Sequence, residues 1–371
     1  MNRLLSGTIF GFFKSLLAGF AIILLPIYFS NMNISLITYA LLLSIADVFS
    51  FIMKPVIGFI SDKYGERNLL LTGTFFYVTS IFLIGQTDSV IHITFLQIIA
   101  GITHAFLLSV IIIFALRDVK ENPDSKVGFF GGTGSIGWVF GLLIPGFLIS
   151  TLGIKFAFYA YLFFGMIFFI MVFKFSKIYR IRSVTKFSPN FLKRIPKPLI
   201  FKTIDMAVFN GFVIFFVRYA IKNLGLSTSM VSVLIAFECL VFALSEIFIG
   251  RISKSSRRFY WIPIGMFMQI FAIYFMFNGH LLTYFLAAGL IGIGGSFIDI
   301  WVYSYISEKV RKMDKGKVIG TVSWSYDFGT ILGAQVPALF SFIIINPFTS
   351  LVIFPVTGLI IFLASENKKI R

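Results

Sequence analysis

The sequence predicts an all-α integral membrane protein: twelve transmembrane helices in two pseudo-symmetric six-helix bundles. Three observations carry this. Of 371 residues, 58% are hydrophobic and only 13% charged, with mean hydropathy +0.95; soluble domains run at about 45–50% apolar and about 25% charged. The apolar residues come in long runs, near the roughly 20 residues that cross a bilayer as a helix, with short polar segments between them. The second half of the chain also repeats glycine and proline positions of the first at a nearly constant offset.

Span one covers 4–29. It opens like a leader peptide, but its apolar run is too long, Lys14 interrupts it and no small-residue cleavage site follows. Span two, 34–60, carries Asp47 and Lys54, seven residues apart and so on one helix face. It ends in the charged stretch GFISDKYGERN, 58–68, which leads into span three, 68–86. Span four, 89–116, places His104 three residues after Gly101, on the same side. Span five, 127–150, begins in the glycine-rich run GFFGGTGSIGWVFG. That run lacks the Gly-Lys-Ser/Thr of a phosphate loop and follows no strand. It reads as a helix packed closely on a neighbour.

Span six is 155–175. The stretch after it, SKIYRIRSVTKFSPNFLKRIPKP, holds three prolines and no acid. Residues 176–202 are therefore read as a basic cytoplasmic linker between an N-terminal bundle, 1–175, and a C-terminal bundle, 203–371. Span seven, 203–222, contains Asp205 and Arg218, and span eight, 229–249, contains Glu238, Cys239 and Glu246. Span nine is 259–278. Span ten, 281–307, holds Asp299 followed by Trp301, Tyr303 and Tyr305. Span eleven, 318–343, holds Asp327, and span twelve is 348–365. All are expected to be helices, because backbone polar groups in lipid must be satisfied within the segment. The strand alternation of a barrel is absent.

A net charge of +17 would suggest nucleic acid for a soluble protein. Here topology explains it. With the N-terminus inside, 27 of the 32 Lys and Arg residues fall on cytoplasmic segments, nine of them within 174–202, and only Lys155 and Lys222 lie on outer loops. Both termini are therefore expected in the cytoplasm, the protein in the plasma membrane, and nucleic acid is not a partner. Cys239 is the single cysteine, so no disulfide framework exists and the thiol reads as a small buried hydrophobe.

A shift of 192 residues lays GFISDKYGERN, from 58, on GRISKSSRRFY, from 250. The same shift lays Gly137, Gly141 and Pro145 on Gly329, Gly333 and Pro337, a close-packing motif in both halves. At 191, Gly101 falls on Gly292. Two parallel halves related by an axis along the membrane normal are a transporter architecture.

Gly58, Asp62, Gly65 and Arg67, spaced Gly-x-x-x-Asp-x-x-Gly-x-Arg between spans two and three, resemble the signature of the major facilitator superfamily. The resemblance covers essentially the whole chain. It implies a small-molecule substrate moved by rocking alternating access, with this loop as the cytoplasmic gating motif. Gly58 allows close helix approach and Gly65 a tight turn. Arg67 is expected to pair with an acid near the inner end of span four, such as Asp118. Asp62 is expected at the N-terminal end of span eleven, where the helix dipole favours an anion. Such contacts would hold the halves together on the cytoplasmic side while the cavity faces out. The match has departures. Lys254 replaces the acid in the second copy, Leu142 stands where the fifth-helix antiporter motif has proline, and Gln97 where the fourth-helix motif has arginine.

Ionisable groups inside a span cost roughly 2.5–3.5 kcal/mol each on insertion scales and usually face a cavity. The candidates for a proton or substrate path are Lys14, Asp47, Lys54, His104, Asp205, Glu238, Asp299 and Asp327; Arg218 and Glu246 sit near helix ends, where they can snorkel. None falls in spans three, six, nine or twelve. In the resembled family those four support from outside, while one, four, seven and ten line the cavity. Asp47 and Glu238 are nearly equivalent under the repeat, as are Lys14 and Asp205. The latter two could form a gate across the halves, or Lys14 could bind an anionic substrate.

No ATP-binding loop is present, so an ion gradient is the expected energy source, and buried carboxylates suit protons. The partial fifth-helix match leans to export of a drug or metabolite against protons. The alternative is an uptake permease or facilitator for an organic anion or metabolite, favoured by Lys14, His104 and Arg218. A membrane-embedded enzyme would need a catalytic cluster, and the three histidines are scattered. A non-transporting sensor would normally carry a further soluble domain. No cofactor or metal is implied, and a monomer is expected to suffice.

Overall fold

Inside a bilayer the backbone has no water to bond to, so its N–H and C=O groups must pair locally. The computed structural model describes residues 3–116, 123–176, 196–252, 260–278, 280–309, 315–341 and 347–367, and these form helices without a strand among them. In order they are α1 (Arg3–Asn31), α2 (Leu36–Tyr64), α3 (Glu66–Ile84), α4 (Val90–Leu116), α5 (Pro123–Leu152) and α6 (Ile154–Phe175). The second half gives α7 (Pro196–Lys222), α8 (Thr228–Ile252), α9 (Trp261–Phe275), α10 (Leu281–Lys309), α11 (Lys315–Phe340), α12 (Pro347–Leu351) and α13 (Ile353–Asn367). Nine of these, among the described residues, are long and apolar enough to cross a membrane.

The twelve expected spans are recovered, with two differences. Span twelve is broken at Val352 into α12 and α13. Pro355 explains the break: it has no N–H for the carbonyl four residues back, and its ring crowds that carbonyl. The second difference is the start of α7. The helix begins at Pro196 rather than 203, with Pro196 and Pro198 in its first turn, where a missing N–H costs nothing. Lys202 therefore belongs to the helix and is fully buried, instead of lying in the linker.

Contacts divide the chain into two compact units. The first holds residues 1–34, 45–187 and 226–233; the second holds 35–44, 188–225 and 234–371. In the first, α1 packs mainly on α5, α3 on α4 and α6, and α1 also on α4 and α6. In the second, α7 packs on α11, α9 on α10 and α13, and α7 also on α10 and α13. The five pairings correspond one to one, so the repeat in sequence is a repeat in packing.

The tightest seams are backbone on backbone. A Cβ on Gly137 would lie 2.3 Å from the Phe12 carbonyl oxygen, and one on Gly141 2.2 Å from that of Leu16. In the second unit a Cβ on Gly329 would lie 2.6 Å from the Thr203 carbonyl oxygen, and one on Gly333 2.3 Å from that of Ala207. No side chain fits at any of the four, which is how α1 meets α5 and α7 meets α11. Pro145 and Pro337 sit within these same helices, α5 and α11.

The first turns of α2 pack within the second unit. There the Tyr39 hydroxyl donates to the Ile214 carbonyl at 2.7 Å, and Arg218 lies 4.8 Å from the Tyr39 ring centre. Gln335 donates to the Ser44 hydroxyl at 2.6 Å. The start of α8 packs within the first unit, where Thr228 donates to the Gly146 carbonyl at 3.2 Å.

Candidate functional site

Lys202 and Asp205 are three residues apart on α7 and so share a face. The Lys202 ammonium donates to Asp205 Oδ2 at 2.9 Å. It also pairs with Asp299 Oδ1 of α10. The other oxygen of Asp205, Oδ1, accepts from Gln269 Nε2 of α9 at 2.7 Å. The Tyr326 ring of α11 lies 4.7 Å from the Lys202 ammonium, a cation–π contact. The Tyr326 hydroxyl is 3.3 Å from that of Tyr303, whose side chain is exposed. Three helices of the second unit thus meet at one buried ammonium, and a fourth, α9, reaches its Asp205 partner.

Glycines make the approach possible. Gly265 of α9 and Gly294 of α10 meet back to back: a Cβ on the first would lie 2.6 Å from the carbonyl oxygen of the second, and the reverse distance is 2.7 Å. One helical turn after Gly265, Gln269 reaches across to α7. One turn before Asp299, Gly295 leaves space for the Asp205 carboxylate; a Cβ there would lie 3.1 Å from Asp205 Oδ1. On the same helices, Trp301 meets Phe201 edge-on at 5.6 Å between centroids, and its ring centroid lies 5.1 Å from that of Tyr305.

With both acids ionised the cluster carries one negative charge in excess, at nearly complete burial. An uncompensated charge held away from water is costly. The arrangement can therefore take up one further positive charge, and a proton is the smallest.

The other expected path residues are distributed differently. Glu238 of α8 is buried, and the neighbouring Cys239 thiol donates to its Oε2 at 3.2 Å. Asp327 of α11 is buried as well. In the first unit Lys54 and Gln97 are buried, while Lys14, Asp47 and His104 are half-buried. The His104 ring stacks on Tyr77 of α3 at 5.7 Å. Tyr77 and Tyr161, from α3 and α6, are buried beside this polar interior. Asp205 and Asp299, both expected path residues, share one cation, and that cation is Lys202.

In the loop between α2 and α3, Gly65 adopts φ +81° and ψ 149° at the start of α3, a region open essentially to glycine alone. Arg67 donates from Nη2 to the Phe173 carbonyl at 3.3 Å and lies 5.5 Å from the Phe173 ring centre, which ties α3 to the end of α6. Asp118, its expected partner, and Lys254 of the second copy lie outside the described residues, as do the side chains of Gly58 and Asp62.

The family pattern for Major Facilitator Superfamily proteins matches residues 5–221 and again 199–369. The chain belongs to the major facilitator superfamily. It is a multi-pass membrane transporter, not an enzyme. Among its relatives is an uncharacterized MFS-type transporter of Methanocaldococcus jannaschii, 26% identical over 321 residues, 82% of this chain and 81% of the relative. Multidrug resistance protein 1 of Bacillus subtilis is 20% identical over 340 residues, 88% of this chain and 87% of that one. The crystal structure of the nucleoside transporter NupG superposes with a TM-score of 0.78 over 98% of both chains at 15% identity, which speaks to the fold alone.

Lys202, Gln269 and Tyr326 are the members of this transporter's cluster that a search for charges inside spans misses. The signal for Lys202 was the proline pair at 196 and 198, which suits the first turn of a helix. Gln269 and Tyr326 carry no charge and leave no such signal. Gly295 offers a direct check on the cluster. Gly295→Ala puts a methyl group against Asp205 Oδ1, so transport should fall several-fold while folding is little changed. Initial transport rates and thermal unfolding of the purified variant would show this; an unaltered rate would mean that the Asp205 carboxylate can move without consequence.

Proposed function

We propose that this transporter exports a small, amphipathic compound from the cell in exchange for protons, by rocking alternating access. It sits in the plasma membrane with both termini in the cytoplasm and works as a monomer. The observation that carries the reading is the buried Lys202 ammonium between Asp205 and Asp299, a site with one carboxylate too many for its cation. Such a site gains a proton in one state and loses it in another. Lys14, Asp47, Lys54, His104, Glu238 and Asp327 contribute the rest of the polar path, and Gly58, Asp62, Gly65 and Arg67 gate its cytoplasmic side.

Export is favoured by the relative named for multidrug resistance. The orientation is favoured by the bias of basic residues to one set of loops. Everted membrane vesicles test the direction. A respiration-driven proton gradient would be followed with a fluorescent dye while cationic drugs, sugars, amino acids and organic acids are added in turn. An exporter dissipates the gradient when its substrate is added. If instead an organic acid accumulates in right-side-out vesicles, and nothing dissipates the gradient in everted ones, the chain is an uptake permease.

A further inference from the structure

We infer that Gln269 is a positioning residue for proton exchange: by holding Asp205 as the fixed counter-ion of Lys202, it leaves Asp299 as the one carboxylate that takes and gives up the proton. The inference rests on the proton-coupled reading above and assigns roles within the site.

The two acids are not equivalent. Asp205 has a donor on each oxygen, Lys202 on Oδ2 and Gln269 on Oδ1. Two donors already stabilise its charged form, so a proton is held there less readily. Asp299 has the lysine on one oxygen and, among the described residues, no amide donor like Gln269. The Gln269 amide is also oriented at a cost. Its nitrogen faces Asp205, while its own oxygen is buried with no hydrogen-bond partner among the described residues. An amide placed only for stability would satisfy both ends. This one satisfies the carboxylate instead of itself.

The frame behind it is rigid. The Gly265–Gly294 contact fixes α9 on α10 one turn away, and Gly295 seats Asp205 against the helix that carries Asp299. The charged and titratable groups facing Asp299 are Lys202 and Asp205 of α7, Glu246 of α8, Tyr303 of its own helix and Tyr326 of α11. Glu238 of α8 faces the Lys202–Asp205 pair. The step balances simply. A hydronium ion gives its proton to Asp299 and leaves as water, the Lys202–Asp299 ion pair opens, and the Lys202–Asp205 pair stays closed. Release reverses each change.

Infrared difference spectra of the full-length protein in an ester-free detergent, recorded between alkaline and mildly acidic pH, report protonated carboxyl groups directly and need no substrate. The wild type should show one titrating carboxyl band from this cluster. Asp299→Asn, which hardly alters size, should remove it. Gln269→Met keeps the side-chain length but loses the donor; it should add a second band, and Gln269→Met with Asp205→Asn should remove that second band. The inference is overturned if the wild-type band survives Asp299→Asn, if Gln269→Met leaves a single unchanged band, or if no carboxyl titrates at all. Proton movement in proteoliposomes is scored separately, so substrate transport without proton movement would sink the coupling while the spectra still judge the roles of Asp205 and Asp299.

Discussion

Lys202→Met should abolish proton-driven transport and destabilise the protein by about 3–5 kcal/mol, the range found when one partner of a buried ion pair is removed. The substitution leaves Asp205 and Asp299 facing each other without a cation, both nearly fully buried. It also removes the ammonium from the Tyr326 ring. Adding Asp205→Asn and Asp299→Asn takes away the stranded charges, so the triple variant should recover most of the stability and none of the proton movement. Thermal unfolding of the purified proteins, beside transport in proteoliposomes, separates the two effects. A Lys202→Met protein as stable as wild type would mean that the ammonium is not the cluster's counter-ion.

Gly265→Val should be the most damaging neutral substitution in α9. The obstacle is the Gly294 carbonyl oxygen, 2.6 Å from where a Cβ would sit, and a backbone atom cannot step aside as a side chain can. The helices must part, and overpacking of this kind costs typically about 1–3 kcal/mol, occasionally more. Separation also carries Gln269 away from Asp205, so transport should fall further than stability alone accounts for. Gly131→Val is the control. Gly131 is exposed and a Cβ there meets nothing within 4 Å, so its effect should stay within about 0.5 kcal/mol. Equal melting temperatures for the two variants would show that α9 and α10 are not locked at this point.

The helical fold was legible because a membrane imposes it: apolar runs of spanning length can hardly be anything else. The glycine pairs at 137 and 141 and at 329 and 333 were visible as a repeat, and their packing follows from the missing side chain. The Gly265–Gly294 contact was not, since which two glycines meet depends on how helices are rotated, and a single sequence does not encode that in any spacing. Asp299 stood out as an acid deep in a span. Lys202 did not, because counting basic residues by loop assigns every lysine near a cytoplasmic helix end to water. Two more turns of α7 reverse that assignment. Gln269 shows the general gap: charge patterns find the ions, while the neutral groups that orient them look like ordinary helix residues.

The most direct test of proton coupling through this cluster compares wild type and Asp299→Asn side by side. Purified protein would be reconstituted in proteoliposomes with a pH-sensitive dye inside, and the same panel of drugs, sugars, amino acids and organic acids added outside under an imposed proton gradient. A compound that moves protons through the wild type should, with Asp299→Asn, still exchange as labelled compound across the membrane but move no protons. Proton movement by Asp299→Asn at the wild-type rate would contradict such coupling.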